Sequence, residues 1–170
     1  MKKVIGLVIM FLSYLPVLAQ DVDSTTFTKV GQSVPNFSVT TLDGKIMKMS
    51  ELKGTIVLIN FFATWCGPCM VEMPKVEKEI WQQLKSDKFI VVAIGREHTK
   101  DDLVKFNKEK GFTFHIAPDP KREVFSLFAR QSIPRNYVIG KDGKIAYQGI
   151  GYSPEEFGKM VELIKTLLKK

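Results

Sequence analysis

Ile56-Val57-Leu58-Ile59-Asn60-Phe61-Phe62-Ala63-Thr64-Trp65-Cys66-Gly67-Pro68-Cys69 is the stretch on which the reading of the whole chain turns. Its first half, Ile56 to Phe62, runs apolar and suits a strand covered on both faces. Beyond the cysteines, Met73, Val76, Ile80 and Leu84 recur at spacings of three and four, which predicts a helix. Pro74 is expected to kink that helix, because proline has no N–H to give. The cysteines therefore fall where a buried strand becomes a helix. Cys66 is placed at the helix N-terminus, Gly67 permits the turn, and Pro68 fits the first helical turn. Unpaired N–H groups and the positive dipole end there favour a thiolate on Cys66, the form that attacks disulfides. Cys69, three residues on, shares the helical face, lies somewhat deeper, and is within reach to resolve a mixed disulfide.

The chain has two cysteines in all, and both are in this motif. A bridge across so short a loop removes little chain entropy, so a structural staple is the weaker reading. Zinc needs about four ligands, and the two histidines, His98 and His115, lie far along the chain. Cu(I) suits thiolates, but no Met or His cluster flanks the pair. A peroxidase would set one activated cysteine among proton-relaying Thr and Arg residues; an adjacent second thiol favours dithiol exchange instead. A peroxiredoxin-like peroxidase, and a copper-carrying or partner-binding module with a non-catalytic pair, stay as competing readings. No metal or organic cofactor is expected, since the dithiol carries the electrons. Trp65, large and flat beside a surface nucleophile, is read as shielding the site and packing a partner. Both histidines are read as bland surface or strand-edge residues.

Working outward, Phe37, Val39 and Leu42, then Asp43-Gly44, then Ile46, Met47 and Met49 predict a β-hairpin. Phe89 to Ile94 reads as a second apolar strand. Thr99, with Asp102 three residues on, opens a helix that stops at Gly111. Phe112 to Ala117 is a short extended stretch, and Asp119-Pro120 is expected to start a helix carrying Val124, Leu127 and Phe128. Asn136–Ile139 and Lys144–Gln148 form a hairpin around Asp142-Gly143. Ser153-Pro154-Glu155-Glu156 is a capping box opening a last helix with Phe157, Met160, Val161, Ile164 and Leu168 on one face. Strand–helix–strand followed by an antiparallel hairpin and a closing helix implies an α/β fold. Its mixed sheet has helices on both faces and the two apolar strands at the centre.

At 170 residues, 45% hydrophobic and 25% charged, the chain has the size and composition expected of one ordinary globular domain. Lys2 and Lys3, the apolar run Val4 to Leu18 and small Ala19 predict a signal peptide over residues 1–20. An uncleaved membrane anchor is the competing reading, disfavoured because the run is short for a span. Residues 21–33 are expected to be a flexible lead-in and 34–170 the folded domain. Loss of residues 1–20 removes Lys2 and Lys3 and no acid, so the formal charge falls from +7 to +5. The remaining basic residues alternate with acids, as in Lys100 to Lys110, which is a solvated face rather than a nucleic-acid stripe.

Trp65-Cys66-Gly67-Pro68-Cys69 is similar to the active-site sequence of thioredoxins. The longer run from Asn60, continuing to Glu72-Met73-Pro74, resembles the exported TlpA/ResA branch of thioredoxin-family proteins. Pro35-Asn36-Phe37 and Leu52-Lys53-Gly54 resemble that branch's N-terminal elaboration, and the likeness extends from about Val34 to the C-terminus. The resemblance implies a thioredoxin fold, a central mixed β-sheet flanked by helices with an added N-terminal β-hairpin, and thiol-disulfide oxidoreductase activity through Cys66 and Cys69. It also implies a cis-proline opposite the cysteines, matched by Pro134. Its bond to Ile133 would expose Ile133 backbone groups for pairing with an extended substrate. Trp65, Gly67, Pro68, Ile133 and Pro134 are thus the expected substrate-binding residues.

Three positions depart from the family pattern. Asn60 stands where thioredoxins carry a buried aspartate that accepts the Cys69 proton, and it cannot titrate. Gly67 replaces a glutamate of some cytochrome-maturation members, and Arg135 follows Pro134 where threonine is usual. The Cys69 proton must therefore pass to another group or to water; Glu72 and Glu97 are candidates by nearness in sequence alone, and each is read first as a surface carboxylate. The Gly-Pro dipeptide resembles reducing thioredoxin, with a potential of about −270 mV against about −120 mV for a strong oxidant, so a reductant is expected. Its implied partners are disulfide-containing exported proteins, apocytochrome c among them, and a membrane electron-relay protein. A periplasmic monomer that binds no nucleic acid is expected.

Overall fold

The computed structural model describes residues 24–169. The expected signal segment, residues 1–20, lies outside the described residues, as do residues 21–23 and Lys170. A two-stranded antiparallel unit comes first, β1 (Ser38–Thr40) and β2 (Ile46–Lys48), turned at Gly44 with φ +86°. β3 (Ile56–Phe62) then runs through the centre of a five-stranded sheet and is buried along its entire length.

α1 (Gly67–Lys75) leaves the end of β3 and contains Pro74. Instead of a simple kink, the chain widens to a π-helical stretch, Val76–Trp81, before a last turn, α2 (Gln82–Leu84). The Val76 N–H is shared between the Glu72 and Met73 carbonyls. Pro74 supplies no N–H at this point, and a π-bulge is one way a helix accommodates such an interruption. β4 (Phe89–Arg96) returns parallel to β3, and α3 (Lys100–Lys110) follows with the predicted Thr99–Asp102 capping box and left-handed Gly111.

The next two elements differ from expectation. Phe112 is not in a strand: its backbone N–H and carbonyl are bonded to the Asn107 side chain, and β5 begins only at His115 (His115–Asp119). Asp119 ends that strand rather than opening a helix. Its carboxylate accepts the N–H groups of Val124 and Phe125 at 3.2 and 2.8 Å, so α4 is confined to Phe125–Phe128. β6 (Arg135–Ile139) and β7 (Ile145–Ile150) form the predicted hairpin, giving the order β5-β4-β3-β6-β7. α5 (Pro154–Leu168) closes the chain. Only half of its capping box forms: Ser153 accepts the Glu156 N–H at 3.2 Å, while the Glu156 carboxylate turns to Lys159.

Alternation along β3 sorts its side chains between two cores. Ile56, Leu58 and Phe62 face α1, α3 and α5 through Met73, Phe106 and Met160. Val57, Ile59 and Phe61 face the hairpin and α4 through Met47, Phe125 and Phe128. Three helices thus cover one face, and one short helix with the N-terminal unit covers the other. Residues 24–33, expected to be loose, are held down. Thr26 bridges Ala129, Ser33 bridges Lys144, and Thr25 and Thr28 are buried. Among the described residues, no helix is long and apolar enough to cross a membrane.

Candidate active site

Cys66 is the N-cap of α1, with extended backbone at φ −86° and ψ 106°, and its sulfur accepts the Cys69 N–H at 3.2 Å. Its own N–H is bonded to the Ala63 carbonyl at 3.1 Å, which fixes the exit from β3. The two sulfurs are joined as a disulfide, with the Cα atoms 5.3 Å apart. Cys69 is completely buried, one turn deeper than the cap. Across from the pair, the Ile133–Pro134 peptide bond is cis, and the Ile133 carbonyl oxygen lies 3.7 Å from Cys66 Sγ.

A groove of about 440 Å³ runs past this point, lined by Trp65, Cys66, Gly67, Pro68, Arg96, Ser132 and Ile133. Trp65 is 63% exposed, so it is not core filling. Of the residues singled out from sequence, Trp65, Cys66, Gly67, Pro68 and Ile133 line this groove. Cys69 lies beneath it and Pro134 directly follows Ile133. Arg96 and Ser132 also line it and carried no signal in the sequence: Arg96 arrives from the end of β4, and Ser132 comes in beside Ile133.

Beneath the cysteines is a buried polar triangle. Asn60 and Asn136 are partners in the β3–β6 register. Asn60 Nδ2 donates to Asn136 Oδ1 at 2.8 Å and to Glu72 Oε2 at 2.9 Å, and Asn136 Nδ2 donates to Glu72 Oε1 at 2.7 Å. Glu72 is therefore no surface carboxylate: it is 2% exposed, one turn beyond Cys69 in α1. Burial pushes its carboxyl up from 4.5 to about 7, against the opposing pull of the Asn136 and Asn60 hydrogen bonds. Asn60 Oδ1 has no hydrogen-bond partner among the described residues. A polar residue inside an apolar strand was the available signal for this network, since a buried amide requires partners.

His98 also departs from its bland reading. It is buried, and its Nε2 accepts the Thr64 N–H at 2.9 Å, which ties the end of β4 to the segment leading into Cys66. That bond requires the ring nitrogen to be unprotonated. Burial lowers the His98 pKa, opposed by the nearby Asp102 and Glu97 carboxylates. His115 is half-buried beside Trp81, away from the groove. Glu97 is exposed, as expected, and pairs with Arg96. Among the described residues, no group of three or more His, Cys, Asp or Glu side chains is gathered to hold a metal ion.

Residues 30–148 match the AhpC/TSA family. The chain is 33% identical over 128 residues to the thiol-disulfide oxidoreductase ResA of Bacillus thuringiensis, covering 75% of this chain and 73% of the relative. Among solved structures, a Bacteroides thetaiotaomicron protein provisionally assigned as a protein disulfide isomerase superposes with a TM-score of 0.82 at 34% identity, covering 86% of this chain and 94% of the other. A Chlorobium tepidum protein provisionally assigned as the thiol:disulfide interchange protein DsbE gives 0.72 at 26% identity, covering 82% and 98%.

Proposed function

The chain belongs to the AhpC/TSA family and is a ResA-like thiol-disulfide oxidoreductase of thioredoxin fold; on that premise we propose that Cys66 attacks, Cys69 resolves and Glu72 manages the proton between them. The observation that carries this reading is a cysteine pair at the start of α1 with a buried, raised-pKa carboxyl one turn behind it. In the reduced protein, the helix start stabilises the Cys66 thiolate. That thiolate forms an S–S bond to one sulfur of a substrate disulfide, and the other sulfur leaves and takes up a proton. Cys69 then gives its proton to the Glu72 carboxylate and displaces the substrate sulfur. The Cys66–Cys69 disulfide forms, and the substrate gains two electrons and two protons. A carboxyl titrating near neutrality is matched to that transfer.

The direction we assign is reduction, on the likeness of the Gly67-Pro68 dipeptide to reducing thioredoxin. The substrates are disulfides of exported proteins, apocytochrome c among them, and a membrane electron-relay protein restores the dithiol. Lys2, Lys3 and the apolar run behind them support export by residues 1–20 into the periplasm. Trp65, Gly67, Pro68, Ile133 and Pro134 receive the substrate, which pairs in extended form with the Ile133 backbone.

Reduction of an insulin-type disulfide by the protein and its Cys66→Ser and Cys69→Ser variants tests the assignment. The parent protein should turn over, Cys66→Ser should be inert, and Cys69→Ser should accumulate mixed disulfides whose partners mass spectrometry identifies. A reduction potential near −120 mV rather than about −270 mV would reverse the assigned direction. Fast peroxide consumption without disulfide exchange would replace the reading with a peroxidase.

A further inference from the structure

Arg96 is the charged side chain that lines the groove beside Cys66, and its surroundings hold it in place. Its guanidinium carbon lies 5.7 Å from the Trp65 ring centroid and 5.0 Å from that of Phe125. Nε and Nη2 both engage Glu97 Oε2, at 3.1 and 2.9 Å, and the side chain is 13% exposed. Stacking between two rings and a fixed carboxylate leaves little rotamer freedom to lose on binding.

The glutamate does not neutralise this corner of the groove. Glu97 Oε1 also lies 3.8 Å from Arg122 Nη1, and Arg122 stacks on the same Phe125 ring at 5.3 Å. Two guanidiniums share one carboxylate, so the cluster keeps a net charge of about +1. Two further carboxylates keep their charge but are turned to backbone N–H groups rather than to the guanidiniums: Asp119 to those of Val124 and Phe125, and Asp102 to that of Thr99. The backbone is strained where these charges are presented. Glu97 (φ 64°) and Arg122 (φ 60°) are non-glycine residues in the left-handed region, and both donate their N–H to the Asp119 carbonyl. Ser132 (φ 70°), on the groove wall, is the third such residue among those described. Strain of this kind collects at binding sites.

We propose that Arg96, backed by Arg122, selects disulfide substrates that carry a carboxylate side chain beside the reacting cysteine. This rests on the disulfide-exchange reading above and deepens it: the partner is an extended segment with Asp or Glu next to its cysteine. The Arg96 guanidinium donates its remaining N–H groups to that carboxylate, as Arg forks do. A lysine at the same substrate position meets net positive charge and is disfavoured.

The test uses pre-reduced full-length protein and three peptides, each with one intrachain disulfide, identical except for Asp, Asn or Lys beside the first cysteine. Each single turnover oxidises the dithiol to the Cys66–Cys69 disulfide and reduces the peptide to two thiols. The second-order rate constant for the Asp peptide should exceed that for the Lys peptide by roughly 5- to 10-fold at low salt, with Asn between them. The ratio should shrink as ionic strength rises from about 0.05 to about 0.5 M. Arg96→Gln should bring it towards one, and Arg122→Gln should lower it part of the way. Equal rates for the three peptides with the unmodified protein, or a ratio that neither salt nor Arg96→Gln moves, overturns the proposal. The salt series needs no variant, so a poorly folding Arg96→Gln protein leaves the test intact. Failure to reduce any of the three peptides would instead overturn the disulfide-exchange reading itself.

Discussion

Both carboxylate oxygens of Glu72 accept an amide N–H, yet burial still outweighs those bonds and lifts its pKa to about 7. In an unfolded chain the group would titrate near its ordinary 4.5. Between these values the folded protein holds a proton that the unfolded one has released. The contribution is fully present below about 4.5 and is lost as pH rises through about 7. On the order of 3 kcal/mol of stability is at stake, since each pKa unit corresponds to about 1.4 kcal/mol. Urea unfolding of oxidised protein from pH 5 to 8 should therefore show a decline that Glu72→Gln largely removes. The difference between the two pH profiles is the readout, because the glutamine amide must also reorganise its bonds to Asn60 and Asn136. Turnover should lose its dependence on a group titrating near neutrality in the same variant. His98 makes a second residue-level case. His98→Leu leaves the Thr64 N–H without its acceptor and should cost about 1–3 kcal/mol in denaturant unfolding. His98→Gln, which can still offer an oxygen there, should cost less.

Elements set where these side chains meet. Antiparallel pairing of β3 with β6 puts Asn60 opposite Asn136, and the α1 turn carrying Glu72 closes the triangle over them. A one-residue slip in that register would send Asn60 or Asn136 to the other face and open the triangle. Packing of β4 against α3 is equally close. A Cβ on Gly95 would come within 2.7 and 2.9 Å of the Leu103 methyl carbons, and Leu103 is completely buried. Gly95→Ala should therefore destabilise by about 1–3 kcal/mol through overpacking. Combining it with Leu103→Ala should give a total well below the sum of the two single effects, since one change makes the space the other needs. Thermal or urea unfolding of the four proteins in the cycle measures this.

At the scale of the molecule, Arg135 joins the start of the described chain to the groove wall. It is 1% exposed and donates to the Gln131 and Ser132 carbonyls at 2.9 and 3.1 Å, and to the Thr26 and Thr25 hydroxyls, each at 2.7 Å. Residues 24–33 are thereby tied to the loop that carries Ser132 and ends at Pro134. Arg135→Ala removes the buried hydrogen bonds that the guanidinium donates to Gln131, Ser132, Thr25 and Thr26, and it should cost about 3 kcal/mol or more in unfolding free energy. Faster cleavage within residues 24–33 under limited proteolysis should accompany it. An unchanged cleavage rate would mean that the backbone bridges to Ala129 and Lys144 suffice to hold the segment.

Local signals carried the fold a long way. The Ile56–Phe62 run, the Asp43-Gly44 and Asp142-Gly143 turns, the Thr99 cap and Gly111 each act within a few residues, and each stands where the spacing placed it. The cysteine motif was legible for the same reason, being a strand end and a helix start written in one contiguous stretch. What depended on contacts across the sheet was not. Asn60 meets Asn136 from 76 residues away, His98 meets Thr64 from 34, and Arg135 meets Thr25 from 110. Sequence identifies a carboxyl one turn after Cys69. Whether that carboxyl faces water or is buried against two amides is decided only when the strands and α1 pack together, because burial is a property of the neighbours the fold supplies.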